Sequence, residues 1–240
     1  MHSPARKGDR KARAGGRARL GNLPRGWAHQ GFFYLDRTQR IGRVAFEIVP
    51  TVILAGLLAG IAGIPLSSVW LWYVSLFIVH TLNWVLNGNW WAGMLFALPN
   101  LHNRGDRATC DYLNRMADRL RHDRAISGAM IFGSVSRGEW HERSDLDIRL
   151  LRQRGLRSGI AGVLILFRER WIALWARQPL DIYLADDVLF LRSMRNDERP
   201  IFLKKNDPRL DLTYPQGKET RIETLRIRRP HEQASGRLSH

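Results

Sequence analysis

The stretch that decides the fold is Ala129-Met130-Ile131-Phe132-Gly133-Ser134-Val135-Ser136-Arg137-Gly138, followed after five residues by Ser144-Asp145-Leu146-Asp147-Ile148-Arg149-Leu150. Residues 129–132 are a short apolar run that reads as a buried strand, and Gly133-Ser134 ends it. Residues 144–150 alternate polar and apolar, the period of a strand. Asp145 and Asp147 stand two apart, so a strand would point both carboxylates to one face. Two carboxylates that close repel each other, and a divalent cation is the simplest way to hold both ionised. A third acid, Asp181, falls in Pro179-Leu180-Asp181-Ile182-Tyr183-Leu184-Ala185, an apolar strand where a charge needs a reason. Pairing of the two strands would bring three carboxylates together, an oxygen-only donor set suited to Mg²⁺.

Gly133-Ser134 supplies a complementary function. A strand that ends in Gly-Ser at a helix start offers free backbone N–H groups and a hydroxyl, which together suit a phosphate. Gly133 allows close backbone approach, and Arg137 is placed to position the loop or reach a phosphate. A phosphate cradle beside paired metal-binding carboxylates implies phosphoryl or nucleotidyl transfer.

Around this centre the elements alternate in an α/β fashion. Asp106 to Arg121 has helical spacing, with Tyr112, Leu113, Met116 and Leu120 on one side. Gly159 to Ala176 is also helical, with an expected apolar face of Ile160, Val163, Leu164, Phe167, Trp171 and Leu174. Residues 186–194 suggest a short helix, with Asp186 and Asp187 at its N-terminus. Glu139, His141 and Glu142 read as a solvated loop. Lys204 and Lys205 read as surface charges, or else as triphosphate contacts.

Taken together, Gly133-Ser134, Arg137-Gly138 and Asp145-Leu146-Asp147, with Asp181 downstream, resemble the signature of the polymerase-β-like nucleotidyltransferase superfamily, in its compact form. The resemblance covers roughly 106–190. It implies a small mixed sheet backed by helices. It also implies that Gly133, Ser134 and Arg137 bind the nucleotide, ATP or another NTP. Asp145, Asp147 and Asp181 would be the catalytic carboxylates and would ligate two Mg²⁺ ions. The family moves a nucleoside monophosphate from an NTP to an acceptor and releases pyrophosphate. Larger members carry a substrate domain after the core; here only about 50 residues follow Asp187, so the acceptor stays open. A catalytically silent nucleotide-binding sensor or scaffold is the alternative for the same residues.

Charge distribution organises the rest of the chain. The 240 residues hold 38 Lys+Arg and 22 Asp+Glu, a net charge of +16, yet the 56 residues from Ile48 to Asn103 contain no Asp, Glu, Lys or Arg. A bilayer core needs about 20 apolar helical residues. Two spans fit, from about Val44 to Ile64 and from about Ser67 to Leu86, joined by a short uncharged turn. Such a hairpin has both ends on one side. Arg37, Arg40 and Arg43 before it, with Arg104 and Arg107 after it, place both termini and the soluble part in the cytoplasm of a multi-pass cell-membrane protein. Trp70, Trp72, Tyr73 and Trp84 suit the interface. His80 is expected to hydrogen-bond a helix neighbour. Asn87–Asn103 reads as an interfacial or re-entrant segment with Trp90 and Trp91 at headgroup depth.

The single cysteine, Cys110, excludes a disulfide framework and a Cys-rich zinc site. The basic start is expected to be disordered and to favour anionic lipid over nucleic acid, since no interleaved aromatic pattern supports the latter. The expected organisation is a basic tail at 1–40, a transmembrane hairpin plus interfacial segment at 41–103, a nucleotidyltransferase domain at 104–205 and a basic mobile tail at 206–240. The expected fold is therefore an α+β nucleotidyltransferase-type mixed sheet with flanking helices, preceded by a two-helix transmembrane hairpin. The expected partners are an NTP, the bilayer, and an acceptor that is lipid-linked or a membrane protein.

Overall fold

The computed structural model describes residues 26–28, 32, 35–89, 102–141, 144–192 and 199–223. The chain divides into two compact units. One comprises residues 1–34 and 47–101; the other comprises 35–46 and 102–240. The expected interfacial segment lies mostly outside the described residues, as does most of the basic tail expected at 1–40; of the tail expected at 206–240, residues 206–223 are described, with Leu210 and Ile222 buried.

In the first unit the helical hairpin is formed by α1 (Arg37–Ala62), from Glu47 onward, and α2 (Val69–Trp84). The Gly63–Ser68 turn closes where expected; Gly63 takes a left-handed φ of 63°, and the Ser68 N–H donates to the Pro65 carbonyl at 2.9 Å. Leu71, Ser75, Val79 and Asn83 recur every fourth residue and form the buried side of α2. Ala55 and Thr51 are buried on α1, whereas Ile48, Val49, Val52, Ile53 and Leu57 are exposed. Apolar side chains thus face outward. By length and composition, α1 (Arg37–Ala62) and the helical stretch Val69–Asn87, which continues α2, are each long and apolar enough to cross a membrane.

The inward face of the hairpin is polar. The Glu47 carboxylate lies 2.6 Å from His80 Nδ1 and accepts from Asn83 Nδ2 at 2.7 Å. His80 Nε2 is 2.9 Å from the Trp27 carbonyl, so the histidine is held by helix neighbours as expected.

The second unit is a four-stranded sheet in the order β3-β2-β1-β4. Its elements are α3 (Asp106–His122), β1 (Ile126–Phe132), α4 (Gly133–Ser136), β2 (Leu146–Arg152), α5 (Leu156–Trp175), β3 (Leu180–Ala185), α6 (Val188–Arg192), β4 (Ile201–Lys205) and α7 (Pro208–Thr213). β1 pairs antiparallel with β2 and β4, while β2 and β3 run parallel. The sheet is mixed, with helices on its flanks. Alternation along the strands separates two apolar clusters. Ala129, Ile131, Ile148, Leu150, Ile182 and Leu184 join α3 and α5. Met130, Phe132, Leu151 and Phe202 join Val188 and Leu210.

Tyr112, Leu113, Met116 and Leu120 of α3 are all buried, as their spacing demands. Lys204 corrects the surface or triphosphate expectation. It is 2% exposed, and its ammonium donates to the carbonyls of Leu120, Arg121 and Asp123 at 2.8, 3.3 and 2.9 Å. It therefore caps the C-terminus of α3, where orphan carbonyls and the helix dipole favour a cation. Lys205 likewise binds the Tyr214 and Gly217 carbonyls. Glu169, fully buried on α5, receives two hydrogen bonds from Arg119 of α3 at 2.6 and 3.1 Å.

Residues 35–46 complete the edge of this sheet. β3 is an edge strand, so its outward backbone groups need partners. Gln39 Oε1 accepts the Leu184 N–H at 2.8 Å, Asp36 accepts the Asp186 N–H at 2.7 Å, and Arg170 donates to the Ile182 carbonyl at 2.8 Å. The first turns of α1 also lie along α5. A Cβ at Gly42 would come within 2.6 Å of Val163, and the Phe46 and Phe167 rings stack at 3.6 Å. This unit thus takes in a segment that an expected boundary at 104 leaves out.

The apolar face expected for α5 is only partly buried. Val163, Ile165 and Leu166 enter the core, but Ile160, Leu164 and Trp171 are exposed. The helix carries apolar residues on two sides, and the core takes the side with small Gly159 and Gly162, where neighbouring elements come closest.

Candidate active site

β1 ends at Phe132 and the chain turns directly into the single turn of α4. Gly133 makes that turn possible: its φ is 73°, a value that a side chain would strain. Space also demands glycine. A Cβ there would overlap Asp147 Oδ2 and lie 3.0 Å from Asp147 Cγ. The Gly-Ser turn and the second aspartate of the pair are therefore in immediate contact. The loop is fixed by its own hydrogen bonds, Arg137 N–H to the Gly133 carbonyl at 3.2 Å and Glu139 N–H to the Ser134 carbonyl at 2.8 Å, and by Trp140, which is fully buried. Ser134 is half-buried and Arg137 exposed. Arg137 pairs with Glu139 at 2.9 Å, so a phosphate ligand would compete with that exposed pair.

The strand register brings two of the three acids side by side. Asp147 of β2 is the direct partner of Asp181 of β3, and on its other side it faces Phe132. Strand alternation puts these acids on the opposite face from Ile148 and Ile182, away from α3 and α5. Asp145 is exposed and precedes β2 rather than lying within it. Its distance from the pair is still short enough for its charge to act on both.

Charge crowding dominates the electrostatics. Burial, then the charges of Asp145 and Asp181, push the Asp147 carboxyl up to about 7. Burial likewise raises Asp181, with Arg149 acting against it. The two acids sit on directly paired residues, so the Asp181 charge opposes ionisation of Asp147. Among the described residues no three His, Cys, Asp or Glu side chains are gathered closely enough to hold a metal ion. The donor set still fits one. Asp147 and Asp181 are register partners crowded by the charge of Asp145, and a hard divalent cation would relieve that crowding.

Two further side chains share this face. Arg149, two residues after Asp147, places Nη2 3.7 Å from Asp147 Oδ1, and its Nη1 donates to the Ile148 and Asp181 carbonyls at 3.0 and 3.4 Å. Its guanidinium stacks 4.2 Å over the Tyr183 ring. Tyr183, two residues after Asp181, hydrogen-bonds that carboxylate; burial and the Asp181 charge push the phenol up to about 12. Reading function from the acids alone misses both residues, although the period of two that aligned Asp145 with Asp147 also extends to Arg149 and Tyr183. Behind β3, Arg170 is buried and its guanidinium is pushed down to about 9, chiefly by burial and then by Arg43; no spacing in α5 marks it.

Residues 113–206 match the family model described as nucleotidyltransferase domain. No curated protein and no solved structure matches the chain.

Proposed function

We propose that this nucleotidyltransferase acts at a membrane, moving a nucleoside monophosphate from an NTP to an acceptor hydroxyl in a Mg²⁺-dependent reaction. The observation that carries this reading is the contact of Gly133 with Asp147, combined with the pairing of Asp147 and Asp181 in one register. It joins a phosphate-sized turn to a carboxylate pair within one small site.

In this reading the Gly133 and Ser134 backbone and the Ser134 hydroxyl hold the triphosphate, with Arg137 exchanging Glu139 for phosphate oxygen. Asp145, Asp147 and Asp181 hold Mg²⁺, which would neutralise triphosphate charge and polarise the α-phosphate. The acceptor oxygen forms a new bond to the α-phosphorus, and the bond from that phosphorus to the pyrophosphate oxygen breaks. Asp181 accepts the proton of the acceptor hydroxyl, and the electron pair of the broken bond leaves with pyrophosphate. Arg149 positions the pair by binding the Asp181 carbonyl and standing beside Asp147. The hairpin, whose one Asp, Glu, Lys or Arg side chain is Glu47, supports anchoring, with termini and enzyme on the cytoplasmic side, and favours a lipid-linked or membrane-protein acceptor. The expected boundary at 103/104 serves this proposal with 35–46 added to the enzyme, which also runs past 205 to take in α7.

The silent-sensor reading draws on the position of Asp145, which stands exposed and ahead of the strand. One experiment separates the two readings. Full-length protein in native membranes receives α-labelled NTP and Mg²⁺, with Asp147→Ala as control. Label in lipid or protein with wild type alone supports transfer and reports the acceptor class. Nucleotide binding without any label transfer or pyrophosphate overturns it.

A further inference from the structure

The apolar side of α5 that the core does not take forms a continuous stripe. Leu156, Ile160, Leu164, Trp171 and Trp175 repeat at intervals of four or seven residues along one side of a 20-residue helix, and each is between 49% and 81% exposed. A helix of this length is about 30 Å long, so the stripe is far larger than scattered surface apolar residues would make it. The first turns of α1, which lie along α5, expose Ile41 and Val44 as well.

The charge around the stripe identifies its occupant. Across residues 154–177 the one acid, Glu169, is buried and bonded to Arg119 and Arg168, while Arg154, Arg157 and Arg177 are exposed. Arg37 and Arg40 are exposed at the start of α1. Trp171 and Trp175, in edge contact at 6.1 Å, sit at the C-terminal end of the stripe. An apolar stripe with tryptophans at its end, arginines on its borders and no exposed acid on the helix itself is the pattern of a helix lying in the headgroup region of an anionic bilayer. The exposed acids of this sheet face, Asp111 and Asp118, stand on α3. A second copy of the chain would place arginine borders against each other at a twofold contact.

We infer that α5 is a second membrane contact: it lays the nucleotidyltransferase unit on an anionic lipid surface through Leu156, Ile160, Leu164, Trp171 and Trp175. This rests on the membrane reading above and deepens it: because Asp147 and Asp181 lie on the sheet face opposite α5, docking through α5 turns the site toward acceptors that project from the lipid surface.

The test uses the full chain in vesicles of phosphatidylcholine with phosphatidylglycerol. An environment-sensitive fluorophore is attached at Leu164→Cys, and at Lys218→Cys as control; Lys218 is exposed beyond β4, at the sheet edge opposite β3. Cys110 is buried and escapes labelling. The Leu164 probe is expected to shift to the blue and to lose emission when nitroxide-bearing lipid is added. That loss should shrink in phosphatidylcholine alone or at high salt, while the Lys218 probe stays water-like throughout. A water-like Leu164 probe in protein that resists alkaline extraction overturns the docking but leaves the anchor. A probe shielded from water yet insensitive to nitroxide lipid assigns the stripe to a second protein surface and overturns lipid docking. Release of the whole protein by alkali overturns both readings.

Discussion

In the helical hairpin the polar side chains face inward and the apolar ones outward, whereas in the nucleotidyltransferase unit the pattern inverts. Glu47, His80 and Asn83 meet inside the hairpin while Val52, Ile53 and Leu57 face out. In the sheet unit Ile131, Ile148 and Ile182 are fully buried. On the membrane reading proposed above, each fold suits its own solvent: water penalises the exposed face of the hairpin, and hydrocarbon would penalise that of the sheet. The comparison also shows what each core does with charge. In the hairpin, buried charge holds two helices together. In the sheet unit some buried charges are structural, Lys204 and Glu169 among them, and others crowd at a site where three aspartates share Arg149 as their near cation. Structural charge is satisfied by the protein; the Asp147–Asp181 pair, on the function proposed above, is completed by a divalent cation.

The largest expected effect tests that distinction directly. Asp147→Ala should lower nucleotidyl transfer by about a thousandfold or more, the scale of several kcal/mol of transition-state stabilisation, while circular dichroism stays unchanged. Gly133→Val should match it, since the new side chain would occupy the Asp147 carboxylate position.

Lys204→Met tests the structural class of buried charge. Losing the cap on three carbonyls of α3 should cost about 2–3 kcal/mol, lowering Tm by roughly 5–10 °C. Activity per folded molecule should remain within about twofold of wild type, less than 0.5 kcal/mol; a selective loss of transfer would return Lys204 to the triphosphate.

The crowded pair should cost stability in a pH-dependent way. Asp147 titrates near 7 in the folded protein against 3.8 as a free side chain, so between those values the folded state binds more protons. Metal-free stability should therefore fall as pH rises from about 4 to 7, and stay low above. Asp147→Asn should stabilise the metal-free protein by about 1–3 kcal/mol at pH 8, with the difference vanishing toward pH 4. Denaturant melts at the two pH values check this.

The smallest effect belongs to the hairpin. Glu47→Gln keeps hydrogen-bonding capacity but removes the charge beside His80. It should weaken helix pairing by about 1 kcal/mol, the usual scale for polar contacts between membrane helices, read as earlier unfolding in a detergent titration. No change would place the cluster in water rather than in a hydrocarbon surround.

The sequence made the centre of the sheet unit legible because strand alternation and glycine turns are local rules. Asp147 and Asp181 meet as the expected pairing of their strands requires, and Gly133 turns the chain where the apolar run ends. The hairpin was legible from the gap in charge alone. Other features depend on partners far along the chain. Nothing in Asp36 or Gln39 announces that they satisfy the backbone of β3, and nothing in Lys204 marks it as a cap for α3. α5 defeated periodicity for another reason: it is apolar on two sides, and only packing decides which side enters the core.

The most direct measurement of the central claim is calorimetric titration of the full-length protein with Mg²⁺ and a non-hydrolysable NTP, in buffers of different ionisation enthalpy, at a pH just below 7. If a divalent cation displaces the proton that the crowded Asp147 carboxyl, pushed up to about 7, retains, binding should release up to about one proton, and Asp147→Asn should release less. Binding with no proton release, identical in wild type and Asp147→Asn, would contradict it.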